Sequence, residues 1–196
     1  MKPALLLALA IASIAAAPAT KPATAPARMR DGLVNGSVRF LVPAEWELFQ
    51  RGPEGLSVGY LLPDEKGRAI MLVTQQAEGI PLNDGRVKQQ MAKFVLEHDI
   101  QDLKDRKMEI IDAPKLEPDA RFMIKVHERF KDGETTVDAV HLYRGIGLNL
   151  VSVTVSANTD DKDQAKRIHD AGALMLLSVN LGPQDKRIPR PLPKKE

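Results

Sequence analysis

The sequence predicts an α+β domain, a mainly antiparallel β-sheet of about six or seven strands flanked by two main helices in an α/β/α sandwich. Three observations predict it. Between residues 34 and 182 the hydrophobic period switches repeatedly between two and about 3.6, as strands interleaved with helices require. Turn residues punctuate the strand-like runs at Pro63-Asp64-Glu65-Lys66-Gly67 and Lys131-Asp132-Gly133-Glu134, where antiparallel hairpins need them. Helix-start residues open both helical stretches: Asn83 or Asp84 is available to cap the first, and Asp160, Asp161 and Asp163 favour the positive end of the second helix's dipole.

The elements follow in order. Residues 37–42 alternate as an opening strand that stops at Pro43, and residues 56–62 and 69–74 form a hairpin around the turn at Pro63. A helix over 83–98, capped by Asn83 or Asp84, carries Val87, Met91, Phe94 and Val95 as one apolar stripe. A strand at 107–111 precedes a long hairpin of 121–130 and 135–143. With Asp132 and Gly133 as the two central turn residues, Phe122, Ile124, Val126 and Phe130 share a core face with Tyr143, His141, Ala139 and Thr135. The same register sets His127 directly opposite Asp138 on the other face. A last strand over 149–156 feeds a helix over 160–179, whose buried stripe is Ala165, Ile168, Gly172, Met175 and Val179.

The ends read differently. Met1-Lys2, an apolar run over 4–12 and the small residues Ala17-Pro18-Ala19 make a signal peptide over 1–19, cut after Ala19 or retained as an anchor. Either form places the domain outside the cytoplasm, periplasmic or extracellular. Residues 20–33 form a Pro/Ala/Thr-rich spacer, 34–182 the folded domain, and 183–196 a basic, proline-rich tail. Charge is polarised accordingly: with the basic ends set aside, residues 31–182 keep 19 basic against 24 acidic residues, a net of −5. An acidic body argues against gripping nucleic acid through the folded face and leaves only the tail for weak contact with an anionic surface. There are no cysteines, which excludes disulfides, a thiol nucleophile and a cysteine-type zinc site.

Two short motifs, Phe40-Leu41-Val42-Pro43-Ala44-Glu45-Trp46 and Ala173-Leu174-Met175-Leu176-Leu177-Ser178-Val179, together with this element order, resemble the PsbP-like superfamily, including DcrB-like exported bacterial proteins. Many relatives have Gly or Asp before the Trp, where this chain has Glu45. The resemblance implies an antiparallel sheet sandwiched by helices and a non-enzymatic accessory or binding role; it supplies no catalytic residues.

Chemistry-bearing residues are sparse. His127 and Asp138 form the sharpest polar pair, since a carboxylate can orient an imidazole for a hydrolase, but no GxSxG elbow supplies a nucleophile. Their other reading is a cross-strand surface pair. His127 and His141 project to opposite faces and cannot share a metal; His141 reads as a hydrogen-bonded core histidine, His98 as the end of the first helical stripe, and His169 as solvent-facing. No metal site and no cofactor fingerprint follows from these residues. Trp46 reads either as a plug beneath the sheet or as a ligand contact at a cleft mouth, with Tyr60 and Met91 as further candidate lining residues. The expected function is an exported, non-catalytic module engaging a protein partner; a small apolar ligand held near Trp46 is the alternative, and a hydrolase built on His127 and Asp138 the third.

Overall fold

The structure, a computed structural model, describes residues 28–33, 38–52, 56–64, 66–75 and 81–181. The leader, the first part of the spacer and the basic tail lie outside the described residues. The strands are β1 (Arg28–Leu33), β2 (Val38–Val42), β3 (Glu47–Arg51), β4 (Ser57–Leu61), β5 (Gly67–Gln75), β6 (Glu109–Leu116), β7 (Ile124–Asp132), β8 (Thr135–Ile146), β9 (Asn149–Asn158) and β10 (Asn180–Leu181). The helices are α1 (Gly85–Asp105) and α2 (Lys162–Leu177). Seven strands form one antiparallel sheet in the order β3-β4-β5-β9-β8-β7-β6, and β1-β2-β10 form a second, small sheet. The α+β architecture expected from the sequence is the one observed.

Alternation along each strand divides the large sheet into two faces. On one, Val151, Val153, Val155 and Ala157 of β9, with Val140 and Leu142 of β8 and Met71 and Val73 of β5, meet α2 and β2 in the main core. Gly172 of α2 lies against Val155, so close that a methyl group there would collide with the valine side chain. Asp161 caps α2 by accepting from the N–H groups of Asp163 and Gln164. At its far end Arg144 of β8 donates to the carbonyl of Leu177, a cation placed at the negative end of the helix. Ser178 then ties α2 to β2: its Oγ accepts from Leu41 N at 2.8 Å and donates to Met175 O at 3.0 Å. The serine of the second motif thus joins the first motif's strand to the helix.

Three local differences separate the structure from the sequence-based expectation. Arg28–Leu33 pair with β2 although they lie in the stretch read as spacer. The β7–β8 hairpin pairs Asp132 with Thr135, so Gly133 and Glu134 are its central residues. Gly133 has φ +63° and Glu134 has no positive φ, which suits the turn class that wants glycine first. Each residue therefore faces a partner two places further along than expected: Val140 is opposite His127, and Arg129 is opposite Asp138. A shift of two preserves the faces. Phe122 precedes the strand, in a turn closed by its N–H to Asp119 O, and packs in the α2-side core, not beside Ile124.

Candidate functional site

The other face of the large sheet is covered by α1 over β6, β7 and part of β8, while among the described residues no helix lies over β9, β5 and β4 there. Asp84 caps α1, accepting from Arg86 N and Val87 N. The helix runs to Asp105, beyond the expected end at His98, and its buried residues are Val95, Asp99 and Leu103 at successive intervals of four. Phe94, expected in the stripe, is 69% exposed, because the buried line runs through Val95 and leaves Phe94 on the flank.

This second core is interrupted at one level. Val95 packs with Ile124 and Val126, flanked by Met91, Met123 and Tyr143, and Leu103 packs with Phe130, Val137 and Ala139. Between the two clusters all three elements turn polar: Asp99 separates Val95 from Leu103 on α1, Glu128 separates Val126 from Phe130 on β7, and His141 separates Ala139 from Tyr143 on β8. One ligating atom from each of Asp99, Glu128 and His141 lies within 4.8 Å of the others. His141 Nε2 donates to Glu128 Oε1 at 3.2 Å, and Nδ1 stands 3.3 Å from the hydroxyl of Thr154 on β9. Asp99 Oδ2 and Glu128 Oε2 are buried without a hydrogen-bond partner. The Asp99 and Glu128 side chains are only 8% and 6% exposed.

The electrostatics follow from burial among like charges. Burial pushes the Asp99 carboxyl above its ordinary value; the charge of His141 opposes this and that of Glu128 adds to it. Burial alone would lower His141, but its hydrogen bond to Glu128 and the nearby Asp99 outweigh that and leave it raised. Tyr143 is pushed up to about 12, by burial first and then by Asp99 and Glu128.

Two clefts open beside α1 and reach this cluster from either end. One, of about 530 Å³, is walled by Met91, Phe94, Val95, Tyr143 and Leu150 and ends on Asp99. The other, of about 310 Å³, lies over Ile70, Phe130 and Thr154, with Arg68, Asp102 and Arg106 on its rim and Glu128 and His141 in its floor.

The residues singled out from sequence are dispersed about this groove. Trp46 and Tyr60 are buried in the α2-side core, 1% and 2% exposed, with Tyr60 edge-on to Phe40 at 5.9 Å. Met91 lies on the opposite side of the sheet, in the wall of the larger cleft, so the structure does not bring the three together. His127 and Asp138 do meet, as diagonal neighbours on the α2 side, with His127 Nε2 donating to Asp138 Oδ1 at 2.8 Å. The other ring nitrogen of His127 is 3.2 Å from Glu117. The Asp138 hydrogen bond holds His127 above its ordinary value. Burial would raise Asp138, but the His127 bond and the charge of His169 leave it lowered. His169 does not face solvent: it is 17% exposed and donates to the Asp138 carbonyl at 3.1 Å, pinning α2 to β8, and burial lowers its pKa. His98 projects outward, 67% exposed, because Asp99 takes the buried position. Sequence reasoning missed Asp99 and Glu128, although each is a carboxylate at a position where its own apolar periodicity demands a hydrophobic residue.

Comparison with known proteins bears on the fold. No family model matches the sequence, and no curated protein matches it. Among solved structures, cyanobacterial PsbP (CyanoP) from Synechocystis sp. PCC 6803 superposes with a TM-score of 0.52 at 11% identity, over 83% of this chain and 96% of that one. The Saccharomyces cerevisiae Ran-binding protein Mog1p gives 0.50 at 12% identity, over 79% and 95%. A protein from Bacteroides thetaiotaomicron VPI-5482 gives 0.51 at 10% identity over 84% of this chain, which spans only 52% of that protein's length. Likeness at this level of identity is likeness of fold, and with the β-meander, long hairpin and two helices described above, the chain has the PsbP-like fold.

Proposed function

We propose that the protein is an exported, non-catalytic accessory module that engages a protein partner through the groove beside α1. The observation carrying this reading is the apolar surface left open there. Phe94 is 69% exposed on the rim of the larger cleft. Leu72, 43% exposed on β5, is a diagonal neighbour of Leu150 on the same uncovered face. Large apolar side chains gathered at the mouth of a cleft mark a surface that is covered in use. One structural neighbour of comparable fold is itself a Ran-binding protein. The leader over 1–19 supports export. The non-catalytic reading draws on His127, whose two ring nitrogens each face a carboxylate, Asp138 and Glu117, so neither is placed to take a proton from a nucleophile.

The test is co-purification of the full chain from the envelope fraction of its own host. Phe94→Glu with Leu72→Glu is expected to lower recovery of a specific partner at least tenfold without lowering Tm, while Lys166→Glu on the outer side of α2 leaves recovery unchanged. Equal recovery by all three proteins overturns the reading. A second reading, a small apolar ligand, is favoured by the 530 Å³ volume of the cleft, which falls in the range of about 300–1,000 Å³ typical of ligand pockets. Its mark is a rise in Tm with a fatty acid, abolished by Met91→Glu.

A further inference from the structure

We propose that Asp99, Glu128 and His141 form a binding site for one divalent transition-metal ion, of which zinc is the representative, at the junction of the two clefts. A helix and the two strands of the hairpin beneath it each break an apolar stripe at the same level to bring these groups together, which hydrophobic packing does not explain. Filling that level with valine or leucine would unite the two apolar clusters beneath α1.

The chemistry of the donor set fits. One imidazole and two carboxylates supply the nitrogen and oxygen ligands that zinc accepts, at bond lengths of about 2.0–2.2 Å. Around a tetrahedral ion such ligands stand about 3.3 Å apart. Atoms already within 4.8 Å of one another reach that spacing by small side-chain rotations. Two of the three buried side-chain atoms that lack a partner among the described residues, Asp99 Oδ2 and Glu128 Oε2, belong to this cluster, and a cation would satisfy both; the third, Arg129 Nε, lies on the opposite face of the sheet. Thr154 stands 3.3 Å from Nδ1 of His141, where its hydroxyl can accept a hydrogen bond from Nδ1–H and so hold the Nε2 lone pair toward the carboxylates. A divalent ion with neutral His141 and two carboxylates makes the buried site electrically neutral, whereas an imidazolium with both carboxylates leaves one net negative charge. The clefts supply an entry path and room for a fourth ligand from water or from a bound molecule. The inference stands apart from the identity of any protein that covers the groove.

The experiment uses the purified full chain stripped with a chelator and then titrated with zinc chloride alone against a chromophoric competitor, together with anomalous diffraction from zinc-soaked crystals. One ion per chain is expected, with its anomalous peak among Asp99, Glu128 and His141. Asp99→Asn and Glu128→Gln, which keep the shape of the side chains, are expected to weaken binding at least about tenfold, and Thr154→Val to weaken it by a smaller factor. His127→Gln, on the opposite face of the sheet, leaves binding unchanged. A peak at His127 or His98 overturns the proposal, as does binding that survives Asp99→Asn. Absence of binding, accompanied by an infrared carbonyl band of a protonated carboxyl that disappears in Asp99→Asn, overturns it too and assigns the cluster to proton sharing. The peak position in the wild-type chain decides the matter even where a variant fails to fold.

Discussion

Replacing Asp99 by leucine should make the metal-free protein more stable. Asp99 is the single charged residue in the buried line of α1, with Val95 and Leu103 one turn to either side, and its Oδ2 has no partner. A buried polar atom left unpaired costs about 1–3 kcal/mol. Leucine is also the better helix former, by roughly 0.5 kcal/mol. The cleft that ends on Asp99 gives the larger side chain room, and the hydrogen bond between Glu128 and His141 stays in place. The expected gain is therefore about 1–3 kcal/mol, and at about 2–4 °C per kcal/mol for a chain of this size the rise in Tm is about 2–12 °C. Urea and thermal melts in excess chelator at neutral pH measure it. In saturating zinc the order should reverse, since wild type alone gains binding energy. A loss of 1 kcal/mol or more in chelator would refute the reasoning: it would mean that Asp99 is a structural partner of His141, not a group kept at a cost to stability.

Other expectations follow from the packing and the charges. Gly172→Ala on α2 sets a methyl group against Val155 in the main core and should cost about 1–3 kcal/mol in urea unfolding. Gly133→Ala places a side chain at φ +63° and should cost roughly 1–2 kcal/mol, read from the same assay. His127→Gln probes the pair with Asp138. The raised pKa of His127 contributes stability that is full below its ordinary value of 6.5 and fades as pH rises through the folded value. The lowered pKa of Asp138 contributes stability present above its ordinary 3.8 and lost as pH falls through the folded value. The stability difference between wild type and His127→Gln should thus be largest between these two ordinary values and shrink at pH 9; a difference independent of pH would contradict the pairing.

Much of the fold was legible because its signals are local. The β4–β5 hairpin, the β9 alternation, the Asp84 cap and the run of aspartates that opens α2 each rest on residues adjacent in sequence. What escaped has no such signal. All residues of β3 are exposed, so it carries no alternation, and it is a strand only because it pairs along the edge of β4. Two register shifts interrupt β6, and Pro114 sits inside one of them, where its missing N–H breaks no ladder bond. The hairpin register turned on which residue takes the left-handed position, and Asp-Gly and Gly-Glu are both compatible with one glycine. The site was harder still. Asp99 shortened the apparent helix, and Glu128 sat unremarked between Val126 and Phe130; each looks like a lapse in periodicity until the topology stacks α1 on β7 and β8. Trp46 and Tyr60 drew notice as aromatics, and they serve the core.

The groove beside α1 as the working face is the central claim, and site-specific photo-crosslinking tests it most directly. A photoreactive amino acid placed at position 94 or 72, and at position 166 on α2 as the comparison, is activated in living cells of the host. The account predicts one discrete adduct from positions 94 and 72 and none from 166. An adduct confined to 166, or the same adducts from all three, would contradict it.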